Sequence, residues 1–195
     1  MINYPDGRKV NWHSNKVAAG NRGMDLEKEI NITNQFYLAQ DTAVIHKKPT
    51  PVQVVSVSYP KRSAARITEA YYKVPSTTDY NGIYRGKYLD FEAKECAERA
   101  SFPFKSLHPH QLTHLEAVQR HGGIAFLIVR FTSRGVTFLA DAGEVIQFYR
   151  TADRSSIPFD WFAEHGHPIG GDYLRPVDYL KTVDRIYFTK GGNAL

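Results

Sequence analysis

Asp79-Tyr80-Asn81-Gly82-Ile83-Tyr84-Arg85-Gly86-Lys87-Tyr88-Leu89-Asp90-Phe91-Glu92-Ala93-Lys94 is the stretch that decides the fold. Asp79 to Tyr84 and Lys87 to Lys94 read as two strands joined at Arg85-Gly86, a pair suited to a tight hairpin turn. Side chains alternate along a strand, so Leu89, Phe91 and Ala93 face a core while Asp90, Glu92 and Lys94 share the other side. Taken alone, two acids and a lysine describe an ordinary solvated edge. The hairpin changes that reading, because it returns Asp79 alongside Glu92 and makes carboxylates from neighbouring strands converge.

Converging carboxylates repel each other unless a cation lies between them. Oxygen donors without a thiolate select magnesium, with manganese as a substitute. An Asp followed by Glu-x-Lys is the set that metal-dependent phosphodiester hydrolysis asks for. The acids hold a divalent ion that polarises the phosphate and acidifies a bound water. The lysine orients that water and meets the charge that develops on the phosphate. Asp79, Glu92 and Lys94 are therefore the candidate catalytic residues. Asp90 is a spare acid on the same face and is given a supporting or structural role. Gln111 opens the helix after the acidic strands, and its amide oxygen can reach the same ion.

The histidines offer a rival metal site. His110 and His114 stand four residues apart on that helix, a spacing zinc can use, with His108 just before them. No Glu lies between them in the metalloprotease arrangement, so surface or phosphate-contacting histidines are the plainer reading. Cys96 is the single cysteine; it can form neither an internal disulfide nor a thiolate metal cluster, and it reads as a structural thiol.

Working outward from the hairpin, Met24 to Tyr37 is expected to be a helix. Leu26, Ile30, Thr33 and Tyr37 fall on one face, and Asn21 is its expected N-cap. Ala43 to His46 and Val52 to Tyr59 are expected strands, separated by Pro49 and Pro51. Lys61 to Tyr72 is basic, carries Tyr71 and Tyr72, and reads as a projecting excursion. Helix His108 to Arg120 ends at Gly122-Gly123. Strands Ile124 to Phe131 and Val136 to Leu139 follow, then a short helix Ala142 to Arg150 with Asp141 near its start. Helix, about three strands, helix and strand describe a mixed α/β domain on one central sheet.

The 195 residues fit one domain, with 42% hydrophobic and 23% charged side chains, and argue against wholesale disorder. The longest apolar run, Ile124 to Val129, is too short to span a bilayer, so no membrane partner is expected. The polar N-terminus does not read as a secretory signal, and a reducing, cytoplasmic setting is expected. The net charge of +5 sits in residues 1–75, with 11 basic against 6 acidic side chains; residues 76–195 balance. Between His46 and Lys73, Lys47, Lys48, Lys61, Arg62, Arg66 and Lys73 oppose only Glu69. Such a cluster suits a polyanion such as DNA.

Several runs closely resemble the RecU family of Holliday junction resolvases. They are Asn21-Arg22-Gly23-Met24 with Leu26-Glu27, His46-Lys47-Lys48-Pro49-Thr50-Pro51, Tyr59-Pro60-Lys61-Arg62-Ser63-Ala64-Ala65, Ser76-Thr77-Thr78-Asp79-Tyr80-Asn81-Gly82, and Asp90-Phe91-Glu92-Ala93-Lys94-Glu95. The resemblance implies a restriction-endonuclease-like αβββαβ core with a projecting basic stalk at about 59–77. Residues 1–20, polar and carrying Pro5, Gly7 and Gly20, are expected to be a flexible tail ahead of one nuclease domain over 21–195. The resemblance also implies an intertwined homodimer and magnesium-dependent, symmetrical nicking of four-way junctions. By the same resemblance the metal ligands fall on Thr77, Asp79, Glu92 and Gln111, the catalytic lysine on Lys94, and DNA contacts on Arg22, Lys47, Arg62 and Tyr72, with Lys61 in the basic excursion. A strand-exchange recombinase, a branch-migration motor and nucleoid association are implied as well. Two rivals are a restriction-type or repair nuclease acting on ordinary duplex and a non-catalytic DNA-annealing or recombinase-modulating protein. An intact Thr77, Asp79, Glu92, Lys94 and Gln111 set argues against the second.

Overall fold

The computed structural model describes residues 25–61, 64–73 and 77–189. The tail expected over 1–20, the expected cap Asn21, and the site candidates Arg22 and Arg62 lie outside the described residues. In chain order the elements are α1 (Leu26–Ala39), β1 (Val44–Lys47), β2 (Val52–Ser58), β3 (Arg66–Tyr72), β4 (Tyr80–Tyr84), β5 (Lys87–Cys96) and β6 (Ser101–Pro103). There follow α2 (Pro109–Arg120), β7 (Ile124–Phe131), β8 (Val136–Asp141), α3 (Ala142–Thr151), β9 (Ser156–Pro158), α4 (Phe159–His165), β10 (His167–Pro168) and α5 (Tyr179–Val183).

Helix α1 begins later than expected, with Asp25 as its cap. The Asp25 carboxylate accepts the Glu27 N–H at 3.2 Å, which meets one of the unpaired donors of the first turn. The face formed by Leu26, Ile30, Thr33 and Tyr37 is buried as the periodicity predicts. Asp141, expected near the start of α3, is its cap and accepts from the Gly143 and Glu144 amides.

The central sheet has the order β1-β4-β5-β7-β8-β10. Strands β4 and β5 form the expected antiparallel hairpin. Its turn places Arg85 at φ 48° and Gly86 at φ 74°, the double left-handed geometry that matches strand twist. Strand β7 runs parallel to β5, so the chain must cross over one face, and α2 makes that crossing. The succession α1, β1, β4, β5, α2, β7 is the expected αβββαβ core.

Strand β2 corrects one expectation. It forms where predicted, but it pairs with β3 in a separate two-stranded ribbon rather than joining the central sheet. Pro49 and Pro51 lie between it and β1, and a proline cannot donate to a ladder. The ribbon's residues are exposed along nearly all of both strands, so the projecting excursion begins ahead of the expected residue 59.

Both faces of the sheet are covered. On one face α1 and α5 pack against Ile45, Tyr80, Leu89, Phe91 and Phe126; the Phe91 ring stacks on Tyr80 at 4.9 Å and on Phe126 at 4.8 Å. On the other, α2, α3 and α4 bury Leu112, Leu115, Leu127, Val129, Val145 and Phe162. Asp90, Glu92 and Lys94 register with Ala125, Leu127 and Val129, and therefore belong to this second face. Covering it by α2 is what turns a nominally solvated acidic strip into a buried one.

Gly82 of β4 pairs with Ile45 of β1. A Cβ there would fall 2.1 Å from the Val44 carbonyl oxygen, a backbone atom that cannot swing aside. Gly82→Ala should cost about 1–3 kcal/mol as overpacking. Thermal denaturation should show this as a fall of roughly 2–4 °C for each kcal/mol. An unchanged melting temperature would contradict the close approach.

Candidate active site

The β4–β5 register places Tyr80 opposite Phe91, so Asp79 and Glu92 are the next residues outward on facing strands. The Asp79 N–H donates to Glu92 Oε2 at 3.1 Å, which ties the two acidic residues together across the hairpin. On the other side of Glu92, Gln111 Nε2 donates to Oε1 at 2.7 Å and Lys94 Nζ stands 2.5 Å from the same oxygen. Asp79, Glu92, Lys94 and Gln111 are thus brought together as the sequence predicts. Thr77 sits half-buried two residues ahead of Asp79.

Gln111 departs from expectation in one respect. Its amide nitrogen, not its oxygen, is turned to Glu92, and its oxygen accepts the His108 N–H at 3.1 Å at the start of α2. That choice follows from charge, since an amide N–H is attracted to a carboxylate and an amide oxygen is repelled.

Glu92 is 1% exposed. Burial pushes its pKa up to about 7; the neighbouring Asp79 charge adds to the rise, and Lys94 opposes it. Two carboxylates, one buried and held part-neutral for want of compensating charge and the other half-buried, fit a hard divalent cation. Among the described residues, no three His, Cys, Asp or Glu side chains cluster in a way that would hold a metal. The histidine reading is not met: His114 Nε2 stands 3.0 Å from Asp90 Oδ2, while the His110 ring stacks parallel to His108.

The candidate DNA contacts are distributed differently. Lys47 ion-pairs with Glu27 of α1. Lys61 is exposed beyond the end of β2, and Tyr72, at the end of β3, is 84% exposed. Lys48, counted in the basic cluster, instead turns inward: its Nζ lies 2.9 Å from Asp90 Oδ2 and 3.0 Å from Thr78 Oγ1. Asp90 is fully buried and also accepts from the Thr78 hydroxyl and from Tyr88 OH at 2.8 Å. Sequence reasoning missed this network around Asp90. The usable signals were strand parity, which aligns Tyr88 with Asp90 and Glu92, and the i, i+3 spacing of Gln111 and His114.

The raised Glu92 pKa has a stability consequence. Between the ordinary carboxylate value of 4.5 and about 7, folded Glu92 holds a proton that the unfolded chain has released. Stability of the metal-free protein should therefore fall as pH rises through that window. Melting temperatures recorded from pH 5 to 8 in EDTA should decline, and Glu92→Gln should remove that part of the decline. An equal decline in the variant would contradict the assignment.

A family model described as RecU, Recombination protein U, matches residues 21–185. The chain is 48% identical over 198 residues to a Holliday junction resolvase RecU from Geobacillus kaustophilus, covering 97% of this chain and 99% of that one. It is 53% identical over 173 residues to a protein of the same name from a Geobacillus species, covering 87% and 86%. A third such protein, from Oceanobacillus iheyensis, is 49% identical over 197 residues, covering 96% and 100%. A solved Archaeoglobus fulgidus Hjc, a Holliday junction resolvase, covers 75% of this chain and 95% of that one at 13% identity and a TM-score of 0.44, too loose a likeness to carry an argument. The matched residues contain α1, the hairpin with its two facing carboxylates and the crossover helix above them, and this chain belongs to the RecU family.

Proposed function

We propose that this chain is a divalent-metal-dependent, structure-selective endonuclease that resolves Holliday junctions by paired nicks in homologous recombination and DNA repair. The observation that carries the reading is the convergence of Asp79 and Glu92, with Lys94 Nζ 2.5 Å from Glu92 Oε1, inside a RecU-family chain. Asp79 and Glu92 would hold the ion, with Thr77 beside them. When bound, the ion would polarise the scissile phosphate and acidify an attacking water. Magnesium suits these oxygen donors, and manganese can replace it.

The chain's own groups supply the rest. Lys94 brings a fixed positive charge to the place where negative charge grows on the phosphate. Its partial burial keeps that charge from being dispersed by solvent. Gln111 would serve as a further oxygen ligand if its amide were reversed from its present contacts with His108 and Glu92. Tyr72 and Lys61 are exposed on the ribbon, and there they would meet DNA by stacking and by phosphate contact.

Symmetrical resolution needs two nicks in strands of like polarity, and the chain carries one such carboxylate pair among its described residues. A two-fold dimer supplies the second site with the symmetry of the junction itself. Among the described residues no helix is long and apolar enough to cross a membrane.

Lys94→Ala should slow magnesium-dependent nicking of a synthetic four-way junction by about 10²–10³, the loss expected when one transition-state charge contact is removed. Junction affinity measured in EDTA should stay within a few fold. Nicking at the unmodified rate would remove Lys94 from the reaction.

A further inference from the structure

Asp79 precedes the first residue of β4, where the ladder of the central sheet runs out. It is held from three sides. Its N–H donates to Glu92 Oε2, and its carbonyl accepts the Lys48 N–H at 2.7 Å. The residue before it, Thr78, is 4% exposed, and its hydroxyl is shared between Lys48 Nζ and the Asp90 carboxylate.

Lys48 and Thr78 occupy the two roots of the ribbon. Lys48 follows the last residue of β1, where the chain leaves the sheet, and Thr78 stands where it returns. Asp90 lies on β5 two residues before Glu92, on the same face. Its carboxylate clasps both roots, and Tyr88 OH and His114 Nε2 approach the oxygen that Lys48 reaches. A buried carboxylate with this many partners is costly to assemble unless all are present, and losing one leaves the others unsatisfied.

We propose that Asp90, with Lys48 and Thr78, is a clasp of positioning residues that holds the Thr78–Asp79 segment against β5 and so sets the Asp79 carboxylate at its working separation from Glu92. The clasp touches neither substrate nor ion in this account; it acts through Asp79. Supports of this kind around metal ligands typically alter affinity 10–100-fold when removed. The inference rests on the metal-dependent nuclease reading, and its test has one arm that does not.

That arm is amide hydrogen exchange in the metal-free protein. Asp90→Asn and Thr78→Val should speed exchange at residues 77–79 while leaving the β5–β7 ladder protected. The second arm is calorimetric titration with Mn2+ alone. Both variants should bind Mn2+ at least tenfold more weakly, and Thr78→Ser, which keeps the hydroxyl, should bind as the unmodified protein does. In nicking assays the variants should lose rate at limiting Mg2+ and regain most of it at saturation, with junction affinity in EDTA within a few fold. If Asp90→Asn does not fold, the Thr78→Val and Thr78→Ser pair decides, because both leave the Lys48–Asp90 ion pair in place. Unchanged exchange and unchanged Mn2+ affinity in a folded Thr78→Val would overturn the clasp. An unmodified protein that binds no Mn2+ while Thr78→Val still loosens residues 77–79 would overturn the metal reading and leave the clasp standing as the anchor of Asp79.

Discussion

The turn at Arg85-Gly86 takes both residues to positive φ, and that geometry sets the register in which Tyr80 faces Phe91. A slip of one residue would carry every side chain of β5 to the opposite face. Phe91 would leave its stack between Tyr80 and Phe126, and Glu92 would be driven into the apolar face under α1. The aromatic core and the acidic pair are thus two consequences of one register. Packing of Leu89, Phe91 and Ala93 against α1 holds the register, and the same register presents Asp79 to Glu92.

Burial gives the pair its chemical character. On a solvated strand Glu92 would ionise as an ordinary carboxylate. Beneath α2 and beside Leu127 it is desolvated, and Asp79 approaches it from the next strand. Lys94 offsets this only in part. A site left short of positive charge is unfavourable for folding and favourable for binding a cation, so some stability is given up for affinity. Gln111 reflects the same balance: its amide nitrogen faces the carboxylate.

Much of this was legible in the sequence, because strand parity and a tight turn are local properties. Alternation in Leu89 to Lys94 identified which residues share a face, and Arg85-Gly86 identified the hairpin. The resemblance in Ser76 to Gly82 and Asp90 to Glu95 implied Thr77 as a further ligand, and that residue stands half-buried two positions ahead of Asp79. What stayed hidden were long-range choices. Val52–Ser58 looks like any strand, and only its partner decides that it belongs to the ribbon. Lys48 and Lys47 are adjacent and identical in kind, yet one turns in to Asp90 and the other pairs with Glu27. Asp90 looked like a spare acid because, although strand parity puts Tyr88 on its face, its other partners come from the two roots of the ribbon and from α2, and no local pattern brings Lys48 and Thr78 to it.

The most direct measurement of the central claim is to incubate the unmodified protein with a mobile four-way junction and with linear duplex of the same sequence, side by side, in Mg2+ and in EDTA, and to map every nick to the nucleotide. The account expects paired nicks at symmetry-related positions in junction strands of like polarity, little cutting of the duplex, and none of either in EDTA. Equal cutting of junction and duplex, or nicking that persists in EDTA, would contradict it.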